Sequence, residues 1–211
     1  TEKLTDYVNP FVGTDGYGNV YPGAQIPFGG IQISPDTDSR FYDAASGYKY
    51  NHLTLMGFSL THLSGTGIPD LGDFLFIPGT GEMKLEPGTH EDPDQGYRSR
   101  YSHDKEWASP NYYAVELADY GVKAEMTSGV RSGMFRFTYP ESDNAFIMID
   151  MNHTLWQSCE WSNLRMINDS TITGYKLVKG WGPERHVYFT ATFSKKLTGL
   201  RFVQDKKPVI Y

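Results

Sequence analysis

Apolar and polar residues alternate with a period of two along most of the chain, and helical periodicity is nearly absent. Tyr113, Val115 and Leu117 point one way with Ala114, Glu116 and Ala118 opposite; Phe135, Phe137 and Tyr139 alternate with Arg136 and Thr138; Val187, Phe189, Ala191 and Phe193 alternate with Tyr188, Thr190 and Thr192. Strands with one buried face need this pattern, because successive side chains leave opposite faces of a sheet. Two runs, Phe74 to Ile77 and Ala145 to Ile149, are apolar throughout and read as central strands covered on both sides. Asp119-Tyr120-Gly121, Ser128-Gly129 and Asn168-Asp169 are hairpin signals, and Gly79-Thr80-Gly81 is a looser turn. Strands punctuated by turns every ~8–12 residues predict an all-β fold. The expectation is a β-sandwich of two large, mostly antiparallel sheets with few short helices, in a single domain over residues 1–211. No internal repeat of ~20–50 residues supports a propeller or a solenoid.

Three stretches escape the alternation: residues 9–48, Ser59 to Gly72, and Glu86 to Asn111. The first holds Gly13, Gly16, Gly18, Gly23, Gly29, Gly30 and Gly47 with Pro10, Pro22, Pro27 and Pro35. Long Gly/Pro-rich loops on a sheet scaffold are where binding residues gather. Lys206-Lys207-Pro208 reads as a turn and Val209-Ile210-Tyr211 as the start of a strand, so the natural polypeptide is expected to run further.

Composition narrows the function classes. Aromatic residues make up 15% and charged residues 21%, with 22 Gly, 12 Pro and a net charge of −6. That aromatic content excludes a disordered chain, and the Gly and Pro exclude a coiled coil. An acidic balance without a Lys/Arg block argues against nucleic acid as partner. No run of ~18 apolar residues is present, so no membrane span is expected. Cys159 is the single cysteine, which forbids an internal disulfide.

The candidate chemistry lies in the second loop. Residues 61–73 put His62, three hydroxyls (Thr61, Ser64, Thr66), two carboxylates (Asp70, Asp73) and three glycines into one short segment. Glycines let backbone approach a ligand, and hydroxyl, imidazole and carboxylate groups can hydrogen-bond several sugar hydroxyls at once. A tight loop whose Asp and Ser side chains cap its own backbone has the same composition. The histidines show no helical i, i+4 pair, so no metal site is expected in this domain. Asp36-Thr37-Asp38 and Asp92-Pro93-Asp94 read as surface acids. Gly65-Thr66-Gly67 has Asp70 where a dinucleotide fingerprint needs its last glycine. Trp107, Trp156, Trp161 and Trp181 fall in irregular segments. Large aromatics usually belong to cores, and Trp181, between Gly180 and Gly182-Pro183, is the expected exception on a loop. No pair of acids stands out as a catalytic dyad. Asn152-His153-Thr154 and Asn168-Asp169-Ser170 match glycosylation sequons.

Tyr7-Val8-Asn9-Pro10-Phe11-Val12-Gly13-Thr14-Asp15-Gly16 resembles the opening of glycoside hydrolase family 92, the calcium-dependent exo-acting α-mannosidases. Pro22-Gly23-Ala24, Pro27-Phe28-Gly29, Gln32-Ile33-Ser34-Pro35-Asp36-Thr37, Ser46-Gly47-Tyr48 and the segment Gly57 to Gly67 follow in the family's order. Asp70-Leu71-Gly72-Asp73, Tyr101-Ser102-His103, Ala108-Ser109-Pro110 and Tyr112-Tyr113 continue it, with weaker matches at Gly174-Tyr175 and Gly180-Trp181. The resemblance implies an N-terminal β-sandwich domain of a larger two-domain glycosidase. Its C-terminal (α/α)6 domain, absent here, would hold the catalytic carboxylates and most of a calcium site. It implies an α-1,2-mannosidase that removes terminal mannose from glycans with inversion.

On this resemblance no catalytic residue and no calcium is assigned to the present chain, which alone is expected to be inactive. Substrate-binding roles fall to Asp15, Ser46, Gly47, Tyr48, His62, Ser64, Gly65, Thr66 and Asp70, with Trp181 added from its loop position. Mannose-containing glycans and the helical domain of the same polypeptide are the implied partners. A periplasmic or extracellular location, after loss of a leader, is expected. Ile68 stands where the family often has Cys, and Phe41-Tyr42-Asp43-Ala44-Ala45 where it has a Trp-rich stretch. A stand-alone carbohydrate-binding sandwich and a self-contained sugar enzyme on a similar sandwich are the competing readings. If a partner domain is missing, apolar and aromatic surface should be exposed.

Overall fold

The computed structural model describes residues 2–39, 44–204 and 207–209. The departure noted at residues 41–43 and the end of the chain at Ile210 and Tyr211 lie outside the described residues. The first strands are short: β1 (Ser34–Asp36), β2 (Thr54–Leu55), β3 (Gly57–Ser59), β4 (Leu75–Thr80), β5 (Ser99–Arg100) and β6 (Glu106–Ser109). Longer ones follow in β7 (Tyr112–Leu117), β8 (Val122–Ser128), β9 (Gly133–Thr138) and β10 (Ala145–Asp150). The chain continues through β11 (Ser158–Asn168), β12 (Thr171–Lys179), β13 (Arg185–Thr192), β14 (Phe202–Gln204) and β15 (Lys207–Val209). Helical structure among the described residues is confined to short 3-10 turns.

All strand pairs are antiparallel, as the alternation predicts. One four-stranded sheet has the order β1-β3-β4-β10, a second the order β6-β7-β8-β9, and a three-stranded sheet the order β11-β12-β13; two small pairs, β2-β5 and β14-β15, complete the set. The sandwich is therefore assembled from several antiparallel sheets, where two large ones were expected.

A layer of phenylalanines joins the three main sheets. Phe76 of β4 lies 5.1 Å from Phe135 of β9 and 6.0 Å from Phe189 of β13; Phe74 lies 4.5 Å from Phe189, and Phe58 of β3 lies 6.4 Å from Phe137. Beneath it Tyr113, Val115, Leu117, Val122, Ala124 and Met126 pack with Leu55 and Phe58. The other face of β4 carries Leu75 and Ile77 against Met56 and Tyr97. Strand β4 is thus buried on both sides, as its apolar run requires.

Several expectations are corrected. The run Ala145 to Ile149 forms β10, which pairs with β4 alone and ends the sheet, so it is half-buried. Gly79 and Thr80 continue β4, and the turn begins at Gly81. Asp36, Thr37 and Asp38 are buried, whereas Asp92 and Asp94 are exposed. All four tryptophans are exposed, between 45% and 60%; Trp107 sits in β6 and Trp161 in β11. Exposed apolar and aromatic side chains are plentiful: Leu4, Tyr7, Val12, Tyr17, Phe28, Tyr188 and the four tryptophans.

Phe58 is fully buried where the first two sheets meet. Its replacement by Ala should lower unfolding free energy by about 3–5 kcal/mol. Urea denaturation of the protein carrying this domain checks this.

Candidate functional site

The loop 60–73 is closed at its neck by backbone pairing. His62 and Leu71 form an antiparallel bridge, Gly72 N–H donates to Thr61 O (2.8 Å) and Leu60 N–H to Asp73 O (3.0 Å). Gly72 has φ +75°, and a Cβ there would stand 2.6 Å from Leu155 Cγ. This position needs glycine both for its left-handed backbone and for the close approach of Leu155. The tip, Ser64 to Gly67, faces solvent.

Two neighbouring loops are tied to this tip and neck. Gly65 N–H donates to Asn19 O (2.8 Å), Lys49 Nζ to Gly16 O (2.9 Å) and Tyr50 N–H to Thr14 O (2.9 Å). Asp15 therefore sits on a segment held between the tip and residues 49–50. Asp70 accepts from Leu71 N–H through Oδ1 (2.6 Å) and from Trp181 N–H through Oδ2 (3.3 Å). The loops bearing Asp15, Ser64, Gly65, Thr66, Asp70 and Trp181 are thus joined on one rim, with Trp181 60% exposed.

The other candidates lie behind that rim. Ser46, Tyr48 and His62 are buried, as is the side chain of Asp70 on the rim, and the protein itself uses their polar atoms. Ser46 Oγ donates to Tyr48 O (3.5 Å), and Tyr48 OH donates to Glu106 Oε1 (3.0 Å). Gly47 has φ +86°, and a Cβ there would stand 2.1 Å from Asp36 Oδ1; glycine lets this carboxylate reach its partners.

Those partners are two histidines. His62 Nε2 is 2.7 Å from Asp36 Oδ1 and His153 Nε2 is 2.7 Å from Asp36 Oδ2. His62 Nδ1 is 2.7 Å from Gln32 O, so both of its ring nitrogens face acceptors. Burial would raise the Asp36 carboxyl, but the two imidazoles outweigh it and hold the group far below the usual carboxylate range. A second buried carboxylate, Asp73, accepts from Thr61 Oγ1 (2.7 Å), pairs with Lys176 Nζ (3.0 Å) and bonds Arg185 Nη1. Here too burial acts upward, and Lys176 and Arg185 prevail to lower it. Burial pushes Lys176 itself down, against the pull of Asp73.

Sequence reasoning missed Asp36, His153, Lys176 and Arg185. One signal was present: Lys176 shares the parity of Ile172, Gly174 and Val178, the inward positions of β12. A lysine on that face needs a buried acid. No group of three or more His, Cys, Asp or Glu is placed to hold a metal among the described residues. Asp36 and Asp73 are already committed to imidazole, ammonium and guanidinium partners, so calcium does not fit these two carboxylates.

An antiparallel sandwich that gathers glycine-rich polar loops and an exposed indole on one rim is a loop-bearing scaffold domain. The sequence profile of the glycosyl hydrolase family 92 N-terminal domain matches residues 7–210, and the chain belongs to that family. A solved relative, the gh92 family glycosyl hydrolase ccman5, superposes with a TM-score of 0.73 at 28% identity over 89% of this chain and 26% of its own. An uncharacterized secreted glycosidase of Arthroderma benhamiae is 30% identical over 139 residues, 65% of this chain and 17% of the relative. The chain therefore spans a small part of the relatives it matches. No helix among the described residues is long and apolar enough to cross a membrane.

Lys176 and Arg185 hold the Asp73 carboxyl below its ordinary value of 3.8 against the upward push of burial, so its stabilisation is present above about pH 4 and is lost as pH falls through the folded value. Asp73→Asn should cost about 3–5 kcal/mol at neutral pH by leaving Lys176 buried without its counter-charge. It should also flatten the loss of stability below pH 4, read from thermal midpoints between pH 2 and 7.

Proposed function

We propose that the whole protein is an exo-acting α-1,2-mannosidase that removes terminal mannose from glycans with inversion. This domain supplies one wall of the pocket, and a C-terminal (α/α)6 domain supplies the catalytic carboxylates and a calcium site. The observation that carries the reading is the joining of the Asp15, Ser64–Thr66 and Trp181 loops on one rim through the Gly65–Asn19 and Asp70–Trp181 hydrogen bonds. Family membership supports a glycosidase. The polar rim offers hydroxyl, backbone N–H and carboxylate partners for sugar hydroxyls, and the Trp181 indole offers a flat apolar face for a pyranose ring. Half a pocket buries too little of a ligand to hold it well, so this domain alone is inactive. The secreted fungal relative supports a periplasmic or extracellular location.

The test uses the full-length protein and α-1,2-mannobiose, with calcium and then with chelator. Calcium-dependent release of mannose, initially as the β-anomer by proton NMR, is expected. No release, or release of the α-anomer first, overturns the reading. Trp181→Ala should raise KM about tenfold with a smaller change in kcat.

A further inference from the structure

The loop between Ala24 and Ile33 carries a bare phenylalanine at its tip. Ala24 and Ile33 form an antiparallel bridge at its base, and Phe28 takes φ +60°, a conformation that a bulky L side chain adopts rarely and at a cost. The ring recovers no burial from this domain, because Phe28 is fully exposed. We propose that Phe28 is the anchor by which the rest of the polypeptide, the helical domain of the reading above, seats on the rim end of the sandwich. The inference rests on that two-domain reading and assigns a docking contact within it.

Three observations carry it. The first is the way the strained residue is held. Gly29 N–H donates to Ile26 O (3.0 Å), Gly30 N–H to Val130 O (2.7 Å) and Gln32 Nε2 to Gly29 O (2.8 Å). A Cβ on Gly29 would stand 2.9 Å from Ile26 Cγ1. The backbone after Phe28 is thus fastened at three points, and it aims the ring away from the core. A loop that only connects strands has no use for a strained aromatic at its tip.

The second is the company the ring keeps. The β8–β9 turn that bonds Gly30 carries Val130 and Arg131, and β9 continues with Met134; all three are exposed. Aromatic, Met and Arg side chains are the types enriched at protein interfaces, with a large aromatic as the usual hot spot. The third is position. Gln32 ties the Phe28 loop to the neck of the 60–73 loop: its N–H donates to Leu60 O (3.0 Å), and its carbonyl lies 2.7 Å from His62 Nδ1. Phe28 and the rim therefore share one end of the sandwich.

The occupant follows from this placement. The domain covers 26% of the chain of its solved relative, so most of that protein lies outside it. A rim that forms one wall of a pocket needs the opposite wall brought to this end, whereas a second copy of the domain seated here would cover the rim.

The test puts the photo-cross-linker p-benzoylphenylalanine at position 28 of the full-length protein and maps the product by mass spectrometry. Position 188, exposed on the β11–β12–β13 sheet, is the control. A link within one chain, from position 28 to a peptide beyond residue 211, is expected. A link to a second copy, a link to added α-1,2-mannobiose, or no link overturns the anchor, as does capture of the same peptide equally well from position 188. Phe28→Gly is the second arm. Glycine takes φ +60° without strain and no buried side chain is lost, so the circular dichroism of the full-length protein should be unchanged, while kcat/KM on α-1,2-mannobiose falls about tenfold. Unchanged hydrolysis in Phe28→Gly also overturns the anchor. A wild-type protein that cleaves no mannoside yet links from position 28 to a peptide beyond residue 211 sinks the glycosidase reading and leaves the anchor standing.

Discussion

One buried carboxylate, Asp73, holds the rim side of this domain in shape. It closes the 60–73 loop through Thr61 and fastens that loop to β12 and β13 through Lys176 and Arg185. The loop has few apolar side chains of its own to bury, and its tip is solvated, so hydrophobic burial cannot fix its course. Directional polar bonds can. A buried ion pair gives little net stability compared with a well-packed apolar substitute, because desolvation offsets most of the attraction. What this one secures is position: with Lys176 wholly enclosed, any displacement of Asp73 strands a charge away from water.

The second buried carboxylate extends the same logic. Asp36 draws together β1, His62 at the loop neck and His153 in the β10–β11 loop. The two systems meet, because Lys176 Nζ also donates to His153 O at 2.5 Å. Asp36, His153, Lys176 and Asp73 thus form one continuous polar spine beneath the rim. Loops anchored in this way pay less ordering entropy when a ligand arrives. That is a reason for an enclosed network of charge in a domain whose catalytic carboxylates are proposed to lie elsewhere.

The strands were legible because alternation reports directly which residues face the core. β13 follows it residue by residue and β9 from Met134 onward, while in β7 Ala114 is buried along with Tyr113, Val115 and Leu117. Sheet order was not legible, and for that reason β10 was read as central: an apolar run says that two faces are covered, not how many strands lie beside it. The buried acids were misread for a related reason. Asp36-Thr37-Asp38 looks like surface in isolation, since its partners His62 and His153 lie 26 and 117 residues away in sequence. Loop membership of the rim residues was readable from Gly, Pro and hydroxyl content, but the inward Tyr48 hydroxyl bonds Glu106, on a distant strand.

The four exposed tryptophans differ in what accounts for them. Trp161 lies on an extended strand and packs on Tyr175 at 5.2 Å, while Tyr175 packs on Tyr188 at 4.6 Å; cross-strand pairing of this kind stabilises an open sheet face by itself. Trp107 lies under the ammonium of Lys123, 5.6 Å from the ring, an ordinary surface contact. Trp156 and Trp181 sit outside the sheets, and each is placed by backbone held from below: Leu155 in the core for one, the Asp70 carboxylate for the other. Sheet energetics cannot explain indoles that no strand presents. Both are set by loop backbone anchored to the 60–73 loop, Leu155 through Leu71 O and Trp181 through Asp70, so the segment that Asp73 fastens to β12 and β13 also fixes where these two indoles stand.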